Sequence, residues 1–215
     1  LNLNFPTNHK SWTTDINGQW ESGAIFLYNS GNDADRVIFL SRLFPIFLTL
    51  LTIILVYVWS RELLGRGWAL LPAFMFGLSP IVLAHGHYVT TDLAATFGFL
   101  LGIFAFTKYL LQQNSKRLWI AGFALGIAEL MKFSLVLLWP YFFLLILVFA
   151  FIQGQTNEKT GRFKIFLRKF WFGMRSLFLA GLIAYAMVYL IYFLFTLNYP
   201  IQKQISDTTF ILNSF

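Results

Sequence analysis

His85, His87, Thr90, Thr91 and Asp92 stand together in "HGHYVTTDLAATF", with long apolar runs on either side. Imidazole, hydroxyl and carboxylate groups so close together can position a phosphate, hold a cation or move a proton. The i,i+2 spacing of His85 and His87 does not put two imidazoles on one helical face, and no third ligand lies nearby. The pattern therefore indicates no metal site. Asp92 follows two threonines and opens an apolar run, where a carboxylate also satisfies the free N–H groups of a first helical turn. Both roles can coexist. Two more places carry charge into apolar surroundings: Arg42, just before "LFPIFLTLLTIILVYVWS", and Glu129 with Lys132 in "AELMKFS". At i,i+3 spacing Glu129 and Lys132 can pair with each other as readily as bind a ligand. Arg42 reads as an interfacial anchor or as one member of a charged rim.

What positions these groups follows from the solvent. The chain of 215 residues is 58% hydrophobic and 20% aromatic, with 12% charged. Soluble domains carry about 25% charged residues, so the expectation is a lipid-embedded, all-α protein. No cysteine is present, which excludes disulfides and thiolate metal sites. The formal charge of +7 would suit nucleic acid only if the basic residues shared one soluble surface, and they are dispersed between apolar runs. Walker loops, dinucleotide fingerprints, nucleophile elbows and HExxH are all absent. The opening "LNLNFPTNHKSW" has no signal-peptide pattern, and the last residues fall within an apolar run. The expectation is an internal piece of a longer protein.

A helix needs roughly 20 apolar residues to cross the hydrocarbon. Six stretches qualify as crossings: 43–60, 67–84, 93–111, 118–131, 133–152 and 176–197. The fourth rises only about 21 Å, and Lys108 closes the third as a residue able to snorkel outward. With six crossings, Arg61, Arg66, Lys108, Lys116, Arg117, Lys159, Arg162, Lys164, Arg168, Lys169 and Arg175 share one side. Lys10, Arg36, Arg42, Lys132 and Lys203 share the other. The Lys/Arg-rich side is cytoplasmic. Fusing the fourth and fifth stretches would put the most basic loop outside. The expected organisation is an extracytoplasmic loop over 1–41, a six-helix transmembrane region over 42–197, and the start of an extracytoplasmic segment over 198–215. "NDADRV" reads as a helix start capped by Asn32, continuing into the first crossing.

This orientation gathers Arg42, His85, His87, Asp92, Glu129 and Lys132 on the outer rim. Charge at the end of the short fourth crossing should meet a polar cavity or a partner. Gly122 and Gly126 in "AGFALGIA" read as a close helix-packing surface, and the basic 159–175 loop as a topology signal with secondary anionic-lipid contact. From the residues alone, a membrane enzyme, a transporter or flippase, and a structural membrane protein are all open. A transporter should show inverted repeats and midplane polar groups, whereas here the charge is confined to one face.

The order of "ADRVIFLSRLFPIFL", "VWSRELLGRGWALLPAFMFGLSPIVLAHGHYVTTDLAATF" and "LWIAGFALGIAELMKFSLVLLWP" resembles the dolichyl-phosphate-mannose protein mannosyltransferases and their bacterial relatives. These are glycosyltransferases of the GT-C transmembrane fold. The resemblance implies inverting transfer of a mannose-like sugar from a polyprenyl-phosphate donor to a hydroxyl on a protein, lipid or glycan, outside the cytoplasm. It implies a bacterial cytoplasmic membrane, or the endoplasmic reticulum in a eukaryote, with membrane lipids as further partners and no nucleic acid. By the same resemblance, Arg42 and Lys132 are candidate phosphate contacts, Asp92 matches an aspartate that starts a later helix, and His85 has a positioning role. His87 and Glu129 are secondary candidates. The acidic base of that family stands in an Asp-Glu pair expected before Leu1, and Asp15, Asp33 and Asp35 do not match its context. No cofactor or divalent metal is indicated.

Overall fold

The structure, a computed structural model, describes residues 2–15, 17–155 and 161–213, and every regular element among them is helical. The chain divides into two compact units, one formed by the segment up to Phe44 with the segment from Thr196, the other by Pro45–Phe195.

In the first unit, α1 (Lys10–Thr13) and α2 (Gln19–Ala24) are short, and α2 runs on into a π turn, Ile25–Asn29. His9 caps α1 through its ring nitrogen, and the Ser11 and Ser22 hydroxyls meet at 3.0 Å between the two helices. Helix α3 (Ala34–Leu64) begins here and runs without interruption to the end of the first apolar stretch. Its cap is not Asn32 as expected. Asp33 Oδ1 accepts the Arg36 N–H at 3.0 Å, while the Asn32 amide is used by the Asn4 and Phe26 carbonyls. An asparagine already tying two loop strands together cannot also cap a helix.

In the second unit the chain makes six passes. The second is two helices, α4 (Leu70–Gly77) and α5 (Pro80–His85). The break has a local cause: a residue preceding proline is driven out of the helical region, and Ser79 is extended at ψ 129°. Pro80 then starts α5 at a position where its missing N–H costs nothing. Glycine lets α4 lie close to α3, since a Cβ at Gly77 would be 3.0 Å from Ile53.

Helices α6 (Asp92–Leu111) and α7 (Ser115–Met131) follow, joined by a tight turn in which Asn114 caps α7 by accepting the Arg117 N–H. A 3-10 turn, Phe133–Leu137, leads into α8 (Leu138–Gln155), and α9 (Arg162–Thr196) completes the passes. Outside this unit, α10 (Ile201–Leu212) follows Tyr199, whose hydroxyl donates to Asp207. That bond, with lesser help from desolvation and the carboxylate charge, raises the tyrosine pKa.

Contacts fix the direction of each pass. Trp59 meets Phe104 and Glu62 pairs with Lys108, so α3 and α6 run parallel. Phe106 stacks on Phe142 at 4.3 Å, both almost wholly buried, at the centre of the core. Gly122 faces Ala180 and Ile183, and Gly126 faces Ala184 and Met187, so α7 and α9 run parallel. Gly181 meets Trp139 and Gly173 meets Ile146, so α8 is antiparallel to α9. The expected glycine packing surface is thus present on α7, opposite α9.

Among the described residues, four helical segments are long and apolar enough to cross a membrane: Ala34–Leu64, Asp92–Leu111, Phe133–Gln155 and Arg162–Thr196. Only 17% of the apolar window of the first and 22% of the last are buried inside the protein, and exposed apolar surface of that extent requires lipid. The broken second pass and the 17-residue α7 are not among the four, so their crossing of the bilayer rests on the alternation of passes. One expectation is revised. The basic stretch 162–175 is not a loop but the first turns of α9; Arg and Lys are good helix formers, and Ile165 and Gly173 bury the inner face. Lys159 lies outside the described residues.

Candidate functional site

Asp92 is the first residue of α6, and Lys132 is the residue at which α7 ends. The backbone of Lys132 is extended, at φ −159° and ψ 128°, so its side chain leaves the helical register. Its Nζ donates to Asp92 Oδ1 at 3.1 Å. The side chains of Lys132 and Asp92 remain 35% and 57% exposed, leaving ammonium protons and a carboxylate edge open to a ligand. Asp92 therefore does more than occupy a first turn, and the N-cap residue Thr91 makes no side-chain cap.

Glu129 does not pair with Lys132, as i,i+3 spacing allowed. Because the helix stops between them, Lys132 reaches α6 and Glu129 is left to α8, where Trp139 Nε1 donates to its carboxylate at 2.7 Å. Trp139 packs in turn against Gly181 of α9. The two charges at this depth each have a partner, as their cost in apolar surroundings demands.

His85 ends α5 and is exposed. His87 turns back on its own segment, with Nδ1 2.9 Å from the Leu83 carbonyl and its ring 4.4 Å from that of Tyr88. A carbonyl can only accept, so Nδ1 carries a proton. Gly86 between them is held by Thr49 of α3, whose Oγ1 lies 3.1 Å from the Gly86 carbonyl and 2.9 Å from that of Pro45. Among the described residues no group of three His, Asp or Glu side chains is placed to share a metal.

Thr49 and Trp139 escaped the reading of the sequence. A hydroxyl inside the apolar run of α3 was the one available signal for Thr49. Trp139 gave none, since tryptophan before proline suits a helix start equally well. Arg42 is half-buried on the early part of α3 and belongs to the first unit.

The opposite end of the second unit is basic. Lys108 pairs with Glu62 across the parallel ends of α6 and α3 and lies over the Phe104 ring at 5.8 Å.

A polar cluster where two apolar helices meet, in an all-helical chain of this composition, describes many membrane proteins. The family model for dolichyl-phosphate-mannose-protein mannosyltransferase matches residues 10–199. The chain belongs to that family. The match takes in every element of this mannosyltransferase from α1 through α9, and all six polar residues singled out above. Neither a curated protein nor a solved structure matches the chain. The apolar helices agree with the membrane-embedded GT-C type of fold.

Proposed function

We propose that the full protein transfers a mannose-like sugar from a polyprenyl-phosphate donor to an acceptor hydroxyl, at the end of the bundle where Asp92 and Lys132 meet. The observation carrying this reading is their 3.1 Å contact, in a chain of the mannosyltransferase family. That end faces away from the cytoplasm, because the Lys/Arg-rich ends of α3, α6, α7 and α9 lie together at the other one.

In the transfer, the acceptor oxygen attacks the anomeric carbon as the bond from that carbon to the phosphate oxygen breaks. A carboxylate takes the acceptor proton, and the departing polyprenyl phosphate keeps the negative charge. Lys132 stabilises that charge, with Asp92 holding the ammonium in place. His85 and His87 position the donor or acceptor from the α5–α6 connection, and Glu129 with Trp139 braces the break at Lys132. None of Asp15, Asp33 and Asp35 is assigned as that carboxylate. Asp33 is occupied as a helix cap. The acceptor proposed first is a protein hydroxyl, in keeping with the family.

The test is transfer from radiolabelled polyprenyl-phosphate mannose to an acceptor peptide, in membranes containing the full-length protein. Transfer by the parent and its loss in Lys132→Ala supports the reading. Equal donor kinetics in parent and variant removes Lys132 from the donor site.

A further inference from the structure

The basic end of the second unit holds a cavity, far from the Asp92–Lys132 pair. Helix α6 alone separates the two by roughly 28 Å at 1.5 Å per residue. The cavity has a volume of about 230 Å³ and is lined by Leu110, Leu111, Gln113, Phe149, Gln153 and Lys169. Lys169 brings an ammonium to it, and Gln113, whose Nε2 donates one proton to the Leu110 carbonyl at 3.3 Å, keeps a second N–H, groups suited to the acceptor oxygens of a phosphodiester. Lys169 lies over the Phe149 ring at 5.9 Å, which orients the ammonium without consuming its protons.

Among the described residues, no carboxylate lines this cavity. Between Glu129 and Asp207 the sequence holds a single carboxylate, Glu158, which lies outside the described residues. The nearest carboxylate on α3, Glu62, is already paired with Lys108. Arg162, Lys164, Arg168 and Arg175 add further positive charge along α9, interleaved with the exposed Phe163 and Trp171. Helix α9 has 35 residues, about 52 Å of helix against a hydrocarbon core of ~30 Å. The excess leaves its basic, aromatic first turns at headgroup level, where such a composition binds anionic lipid.

We propose that the cavity bounded by Gln113, Gln153 and Lys169 is a binding site for the headgroup phosphate of an anionic phospholipid, with Leu111 and Phe149 walling its glycerol end. The site is separate from sugar transfer and does not depend on that reading.

The experiment follows the melting midpoint of the full-length protein in detergent, titrated with phosphatidylglycerol or with phosphatidylcholine. Phosphatidylglycerol should raise the midpoint more than phosphatidylcholine does. Lys169→Gln should keep its lipid-free midpoint and weaken the phosphatidylglycerol response about fivefold in apparent affinity. Arg168→Gln, one residue away and outside the cavity, should keep most of the response. Equal responses to the two lipids, an unchanged response in Lys169→Gln, or equal losses in both variants would each overturn the site. So would the same stabilisation by inorganic phosphate alone. Donor kinetics in Lys169→Gln should match the parent in the same phosphatidylcholine micelles, which separates this site from the transfer site.

Discussion

Lys132 and Asp92 lie 40 residues apart in sequence and meet at 3.1 Å, where α7 ends and α6 begins. The contact exists because the chain leaves the helix at Lys132. Had α7 continued, this ammonium would have followed the helical register beside Glu129 and the aspartate would have lost its partner. Partly exposed pairs of this kind contribute little to stability, typically 0–1 kcal/mol. Asp92→Asn and Lys132→Ala should therefore shift the melting midpoint only slightly. Donor use should respond far more, because a hydrogen bond to a charged group is worth about 1.5–3 kcal/mol, or roughly 10- to 100-fold. Initial rates against lipid-donor concentration should give Lys132→Ala a raised donor KM and Asp92→Asn a smaller rise. A stability loss that matches the activity loss would make the pair structural.

The one proton of the Thr49 hydroxyl is shared between the Pro45 carbonyl of its own helix at 2.9 Å and the Gly86 carbonyl of the histidine connection at 3.1 Å. Thr49→Val keeps the shape and removes the donor, at a cost of about 0.5–1.5 kcal/mol. Transfer should fall several-fold with the fold intact. Gly86→Ala should be worse, since a Cβ there would stand 2.6 Å from the Val82 carbonyl and 2.8 Å from Thr49 Oγ1. Parallel melting and transfer measurements separate the two effects.

Tyr109 and Ser176 join α6 to α9 by a buried 2.7 Å hydrogen bond. Ser176 has one proton, which goes to the Phe172 carbonyl, so Tyr109 is the donor. Ser176→Ala strands a buried phenol and should cost about 1–3 kcal/mol. Tyr109→Phe removes the donor and leaves the serine satisfied, so it should cost less. Denaturation of the two variants in the same detergent checks the order.

At Gly181 an added Cβ would lie 2.1 Å from Trp139 Cη2. Gly181→Ala should displace the indole that donates to Glu129, destabilising by about 1–3 kcal/mol and lowering transfer with it. Gly67→Ala, with nothing within 4 Å, is the matched control. Tryptophan fluorescence should shift in the first variant alone.

The apolar runs announced α3, α6, α8 and the apolar part of α9 because a bilayer leaves the backbone one economical way to cross. Charge bias ordered the passes, since like-charged ends share a side. Three details were hidden for a common reason: they depend on where a helix starts or stops. Pro80 hinted at the break between α4 and α5 but not that Ser79 would adopt an extended backbone. Glu129 and Lys132 looked like neighbours on one helix, and one residue of extended backbone gave each a different partner. The stretch from Arg162 to Arg175 looked like a loop because charge outweighed a buried face of few residues. Thr49 and Trp139 act only through segments distant in sequence, which composition and spacing do not encode.

The extended Ser79 has a mechanical meaning when set beside Thr49. The short helix carrying His85 has an extended residue at one end and, at the other, a hydrogen bond to α3 through the Gly86 carbonyl. Loss of the Thr49 hydroxyl should therefore be felt first at the two imidazoles.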